Sequence, residues 1–176
     1  MCIRDRNNSG GNPNEYRIQI SLDGVANGNE VLTIKPAANS VYDASGNPAS
    51  TTQSSNTISL FDLTPPTIIS TSVLSTNANI SVTFSEPVYN TTGGSGALQT
   101  SDFTLSNSGG VASVSATPSS ISVSGNIYTL GLSLSGTPNG NEIIRVIPSS
   151  SSAIYDASDT TASISQSSHT GNLNEK

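Results

Sequence analysis

The chain has no tryptophan, one cysteine and one methionine among 176 residues, and only 10% of its residues are charged. Globular chains usually carry about 25% charged residues. With Cys2 alone, no disulfide can close within the chain and no thiolate cluster can hold zinc. Six Lys and Arg against twelve Asp and Glu give a net charge of −6. That balance leaves no basic patch for a phosphate backbone, so no nucleic-acid partner is expected. No apolar run approaches the roughly 18 residues of a membrane-spanning helix, and this segment is not expected to insert into a membrane. Long helix formers are scarce as well, which argues against helical bundles and coiled coils. The chain is filled instead by small polar residues: 34 Ser, 19 Thr and 18 Asn, together 71 of 176 positions. This is the composition of an acidic, β-rich chain. Residues 1–6, MCIRDR, differ in character from the remainder of the chain and read as a non-native, linker-derived segment. No apolar stretch succeeds them, so they are neither a signal peptide nor an anchor.

The chain repeats itself. Residues 16–36 and 128–148 align with nine of 21 positions identical, including Tyr16/Tyr128, Leu22/Leu134, Pro36/Pro148 and a shared NGNE run. After a one-residue insertion, residues 42–62 and 155–175 match at eleven of 21 positions. The offset of 112 to 113 residues is a domain length, not the period of a solenoid. Residues 67–176 therefore read as one complete module and residues 7–62 as the C-terminal half of another. Between them, at 63–66, adjacent prolines Pro65 and Pro66 fix two φ angles and form a short, stiff hinge.

Within the complete module the apolar residues alternate, as in strands with one buried face. Ile80, Val82 and Phe84 form one such series and Tyr128, Leu130, Leu132 and Leu134 another. Turn signals separate the runs, among them Ser85-Glu86-Pro87 and Asn139-Gly140-Asn141. The pattern predicts strands at about 67–74, 79–84, 101–106, 111–116, 120–123, 127–134, 142–147 and 169–173, with no helical segment. It points to an all-β, antiparallel sandwich. The half module should contribute strands at 16–22 and 30–35, whose apolar face the missing strands would cover. Alone it should fray or pack on a neighbouring chain.

The runs ISVTFSEPV at 80–88, SDFTLS at 101–106, SGG at 108–110, YTLGLS at 128–133 and YDASGN at 42–47, with the Asp62-Leu63-Thr64-Pro65-Pro66 linker, resemble bacterial Ig-like modules of the S-layer and adhesin type. The resemblance implies an Ig-like β-sandwich and an extracellular or cell-surface location on a bacterium. It also implies a non-catalytic structural or adhesive role as a spacer or stalk, with neighbouring Ig-like modules as partners. The alternatives are a module that itself binds carbohydrate or a host surface, and an accessory repeat of a secreted polysaccharide hydrolase. The second copy departs from the first at 159–161, where Asp159-Thr160-Thr161 replaces Gly46-Asn47-Pro48.

The expected site is a Ca²⁺ junction. In an Ig-like sandwich, Glu86 falls in the loop after the second strand and Asp156 in the loop before the last. Both would lie beside the linker residue Asp62, with Asp23 of the preceding copy facing the same gap. Ca²⁺ takes six to eight oxygens, carboxylates supplemented by carbonyls and water. The alternative is that Asp156 and Asp43 cap turns through Asx hydrogen bonds while Glu86 and Asp62 are solvated. No cofactor is otherwise required. Catalysis is not expected: the sole histidine, His169, aligns with Asn56, and no G-x-S-x-G turn accompanies it. Tyr89 and the region 88–100 could present a sugar-binding loop, but a chain without Trp and with 5% aromatics offers a poor stacking platform. Gly93-Gly94-Ser95-Gly96 is a loop tip, since neither a helix nor a phosphate-binding Lys comes after it.

Overall fold

The computed structural model describes residue 16, residues 18–166 and residues 169–176. The segment 1–6 and its neighbours to residue 15 lie outside the described residues. The chain divides into two compact units, Met1–Leu60 and Phe61–Lys176.

In the second unit, the alternating runs become strands: β3 (Ile68–Val73), β4 (Asn79–Phe84), β5 (Phe103–Ser108), β6 (Ser113–Val114), β7 (Ile121–Ser124), β8 (Ile127–Gly131), β9 (Leu134–Ser135), β10 (Ile143–Pro148) and β11 (Thr170–Asn172). They build an antiparallel sheet in the order β3-β4-β8-β7, a second in the order β11-β10-β5, and the short pair β6-β9. The two-residue period decides which side chains meet. Ile80 and Val82 stand opposite Leu130 and Tyr128 on one sheet, and Val146 stands opposite Leu105 on the other. All six are buried, and a single core cluster joins both layers. Phe84, Phe103 and Tyr128 meet in it; the Phe84 and Tyr128 rings lie edge to face with centroids 5.7 Å apart, a favoured aromatic geometry. This unit is all-β and antiparallel, as the sequence pattern predicts.

Details depart from the expectations. A 3₁₀ turn at Thr100–Asp102 precedes β5, so the strand begins at Phe103, two residues later than expected. The continuous run expected at 127–134 breaks after Gly131. There the chain exchanges backbone hydrogen bonds with Ser119 and Ser120, and Leu134 then pairs with Val114 on a different ladder. Gly131 permits this because a Cβ at its position would collide with the Ser119 and Ser120 hydroxyls. The 111–116 run contributes only Ser113–Val114 to a strand.

The first unit holds β1 (Val31–Thr33) paired with β2 (Thr57–Ser59). The expected strand at 16–22 does not form at residues 16 and 18–22. Its counterpart β8 is held between β4 and β7, and the described part of the first unit contains no strand in either role. The β1–β2 ladder nevertheless repeats the β10–β11 ladder register for register. Val31, Leu32 and Thr33 face Ser59, Ile58 and Thr57; the equivalent Ile143, Ile144 and Arg145 face Asn172, Gly171 and Thr170. Burial does not repeat. Tyr16, Ile34 and Val41 are 69%, 36% and 52% exposed, whereas their counterparts Tyr128, Val146 and Ile154 are 6%, 1% and 0% exposed.

Candidate cation site

Three segments of the second unit bring carboxylates together. Asp62 precedes the proline pair and accepts the Thr64 N–H on Oδ1 at 2.8 Å. Past the prolines, Thr67 is tied to the turn after β4: Ser85 N donates to Thr67 O at 2.8 Å, and Thr67 N donates to Ser85 Oγ at 3.0 Å. Glu86 is the next residue of that turn. Tyr89, just beyond, exchanges two 2.8 Å backbone hydrogen bonds with Tyr155, which places Asp156 at the same end. Ligand oxygens of Asp62, Glu86 and Asp156 all lie within 4.8 Å of one another.

The environment is poor for three unneutralised carboxylates. Asp156 is buried and the other two are half-buried. Burial first, and then the charges of Asp62 and Asp156, push the Glu86 carboxyl above its ordinary pKa. Asp156 also has a structural duty. Its Oδ1 accepts the N–H groups of Ser158 and Thr160, each at 2.8 Å, closing an Asx loop. Asp156 thus caps a turn, as the alternative reading of its position expected, while its carboxylate also lies in the cluster. Asp23 belongs to the first unit, where it lines a cleft of about 80 Å³ with Leu22, Val25, Glu30 and Leu60. His169 directly precedes the edge strand β11, and Tyr89 bridges to Tyr155 through its backbone.

A second carboxylate was not singled out by the sequence. Glu142 is fully buried, and its Oε1 accepts the N–H groups of Val111 at 2.9 Å, Ala112 at 3.0 Å and Asn139 at 3.2 Å. The Ala112 N–H above all, with those of Val111 and Asn139, outweighs burial and holds its pKa down to about 2. The signal was the NGNE run shared by both copies: in the first, Asn27 N likewise donates to both oxygens of Glu30, at 3.3 and 3.1 Å. There Glu30 is exposed.

No protein-family model matches the chain, and no curated protein matches it. Two solved structures are similar in part. The N-terminal part of the bacterial S-layer protein SbsC aligns with a TM-score of 0.45 at 21% identity, covering 63% of this chain and 24% of that one. Domains 1–6 of the surface layer protein SbsC align with a TM-score of 0.44 at 22% identity, covering 63% and 14%. This chain thus spans a quarter or less of either. At these scores the likeness assigns it no function.

Proposed function

We propose that the chain is a non-catalytic Ig-like repeat of a bacterial cell-surface or secreted protein, serving as a spacer. The observation that carries this reading is the recurrence, residue for residue, of one ladder and its turns at an offset of 112 to 113 positions. A chain that copies whole modules gains length, and the Pro65-Pro66 pair between copies limits chain freedom where they join. The order β3-β4-β8-β7 against β11-β10-β5 supports the Ig-like assignment: it is the A-B-E-D and G-F-C arrangement of constant-type Ig sandwiches. A surface rich in Ser, Thr and Asn keeps such repeats solvated without strong attraction to one ligand.

Small-angle scattering on one, two and three tandem copies of the Phe61–Lys176 unit tests this reading. A spacer adds a constant increment to the maximum dimension with each copy. A compact particle whose dimension grows only as the cube root of mass refutes it.

A further inference from the structure

We infer that Asp62, Glu86 and Asp156 form a site for a divalent cation of calcium's size, created in this copy by the replacement of an asparagine by Thr160. The inference goes beyond the spacer reading and does not depend on it.

The two copies supply the comparison. In the first, Asp43 occupies the position of Asp156 and closes the same loop: its Oδ1 accepts Ser45 N and Asn47 N, both at 2.9 Å. Its other oxygen is also satisfied, because the Asn47 side-chain amide donates to Oδ2 at 2.9 Å. That loop needs nothing from outside. In the second copy the backbone bonds are kept, but Thr160 stands in place of Asn47. Its hydroxyl donates instead to the backbone carbonyl of Asp62, at 3.4 Å. Asp156 Oδ2 is left buried and without a hydrogen-bond partner, on a residue only 1% exposed. A bare buried carboxylate oxygen is costly, and native structures rarely leave one unmatched.

Its neighbours make matters worse unless a cation is present. Asp62 and Glu86 add two further carboxylates within 4.8 Å, so the pocket gathers three acidic groups. One ion resolves the unmatched oxygen and the like-charge crowding together. Points no more than 4.8 Å apart can all lie within about 2.8 Å of a common centre, which suits the 2.3–2.6 Å bonds of Ca²⁺ better than the 2.0–2.1 Å bonds of Mg²⁺. Asp62 precedes the proline pair, so the ion would fasten the incoming chain to the two loops.

The test uses the full chain, in EGTA and in millimolar CaCl₂, with thermal unfolding and calorimetric titration of Ca²⁺ as readouts. Wild type should bind one Ca²⁺ in this unit, and its Tm should rise by roughly 10–20 °C near 100-fold excess over Kd. Glu86→Gln should abolish that response yet melt higher than wild type in EGTA, since it removes a repelling charge. Thr160→Asn, which restores the first copy's residue, should also raise the Tm in EGTA and weaken Ca²⁺ binding at least tenfold. A purely structural cluster would show neither reciprocal effect. A wild type indifferent to Ca²⁺, or variants that bind it as wild type does, overturns the inference.

Discussion

Gly171 tests how closely the two sheets approach. It occupies the ladder position held in the first unit by Ile58, which is 58% exposed, whereas Gly171 is buried. A Cβ built on Gly171 would lie 2.5 Å from Val73 Cγ2 and 3.1 Å from Ile80 Cδ1. Ordinary carbon contacts are about 3.5–4.0 Å, so the Val73 contact is short by roughly 1.0–1.5 Å. Two effects then oppose each other in Gly171→Ala. Restricting a strand glycine favours the variant by about 0.5–1 kcal/mol, while overpacking costs about 1–3 kcal/mol. Val73 is only partly buried, so it can yield somewhat, and the net expectation is a loss of about 1 kcal/mol, equivalent to a Tm some 4–8 °C lower. Gly171→Ile, which imports the first copy's residue, should cost more because its branched side chain cannot yield around Val73. Near-UV circular dichroism of the tyrosines, including buried Tyr128, reports the melting of this unit. If Gly171→Ala is as stable as wild type or more so, β11 does not lie against Val73 and Ile80 as described, and the reasoning fails.

Two further outcomes are expected. The Glu142 carboxyl titrates near 2 when folded, below its ordinary 4.5; its stabilisation is complete above pH 4.5 and drains away as pH falls toward 2. Glu142→Gln should therefore flatten the decline of Tm across that window, and an unchanged slope in acid melting curves would refute the assignment. Val146→Ala should destabilise the second unit by roughly 1.5–3 kcal/mol, whereas the equivalent Ile34→Ala should cost the first unit less than about 0.5 kcal/mol. Urea titrations that find equal losses would contradict the contrast in burial.

The alternating runs made the sandwich legible because a two-residue period leaves few other ways to bury Ile80, Val82 and Phe84 beside Tyr128 and Leu130. The strand ends were less legible, because they depend on close approaches such as that of Gly131 to Ser119 and Ser120, which leave no periodic trace. In the first unit, the 16–22 run carries the same pattern as β8, and yet its described residues, 16 and 18–22, form no strand. Pattern states which face a strand would bury; only a partner lets it do so. The gathering of Asp62, Glu86 and Asp156 followed from the order of strands. The role of Thr160 was hidden in the sequence, because Asn47 matters only through a side-chain bond to Asp43 Oδ2. Glu142 was visible as a repeated letter but not as the acceptor of N–H groups from residues thirty positions away.

The opening and closing segments of the second unit are joined by a row of side-chain bonds: Ile68 N to Gln166 Oε1, Thr71 Oγ1 to Thr170 O, Asn174 Nδ2 to Leu74 O, and Lys176 Nζ to Ser75 O. Asn77 adds a double clasp, donating through Nδ2 to Asn174 O and accepting Asn174 N on Oδ1. From the Ile68–Gln166 bond to the Ser75–Lys176 bond the numbers climb together, so the two segments run in the same direction. Force applied through Phe61 and Lys176 would therefore slide one segment past the other and strain the whole row at once, whereas an unzipping geometry would break its bonds singly. A thread built from such beads should hold its length under tug until a bead gives way whole.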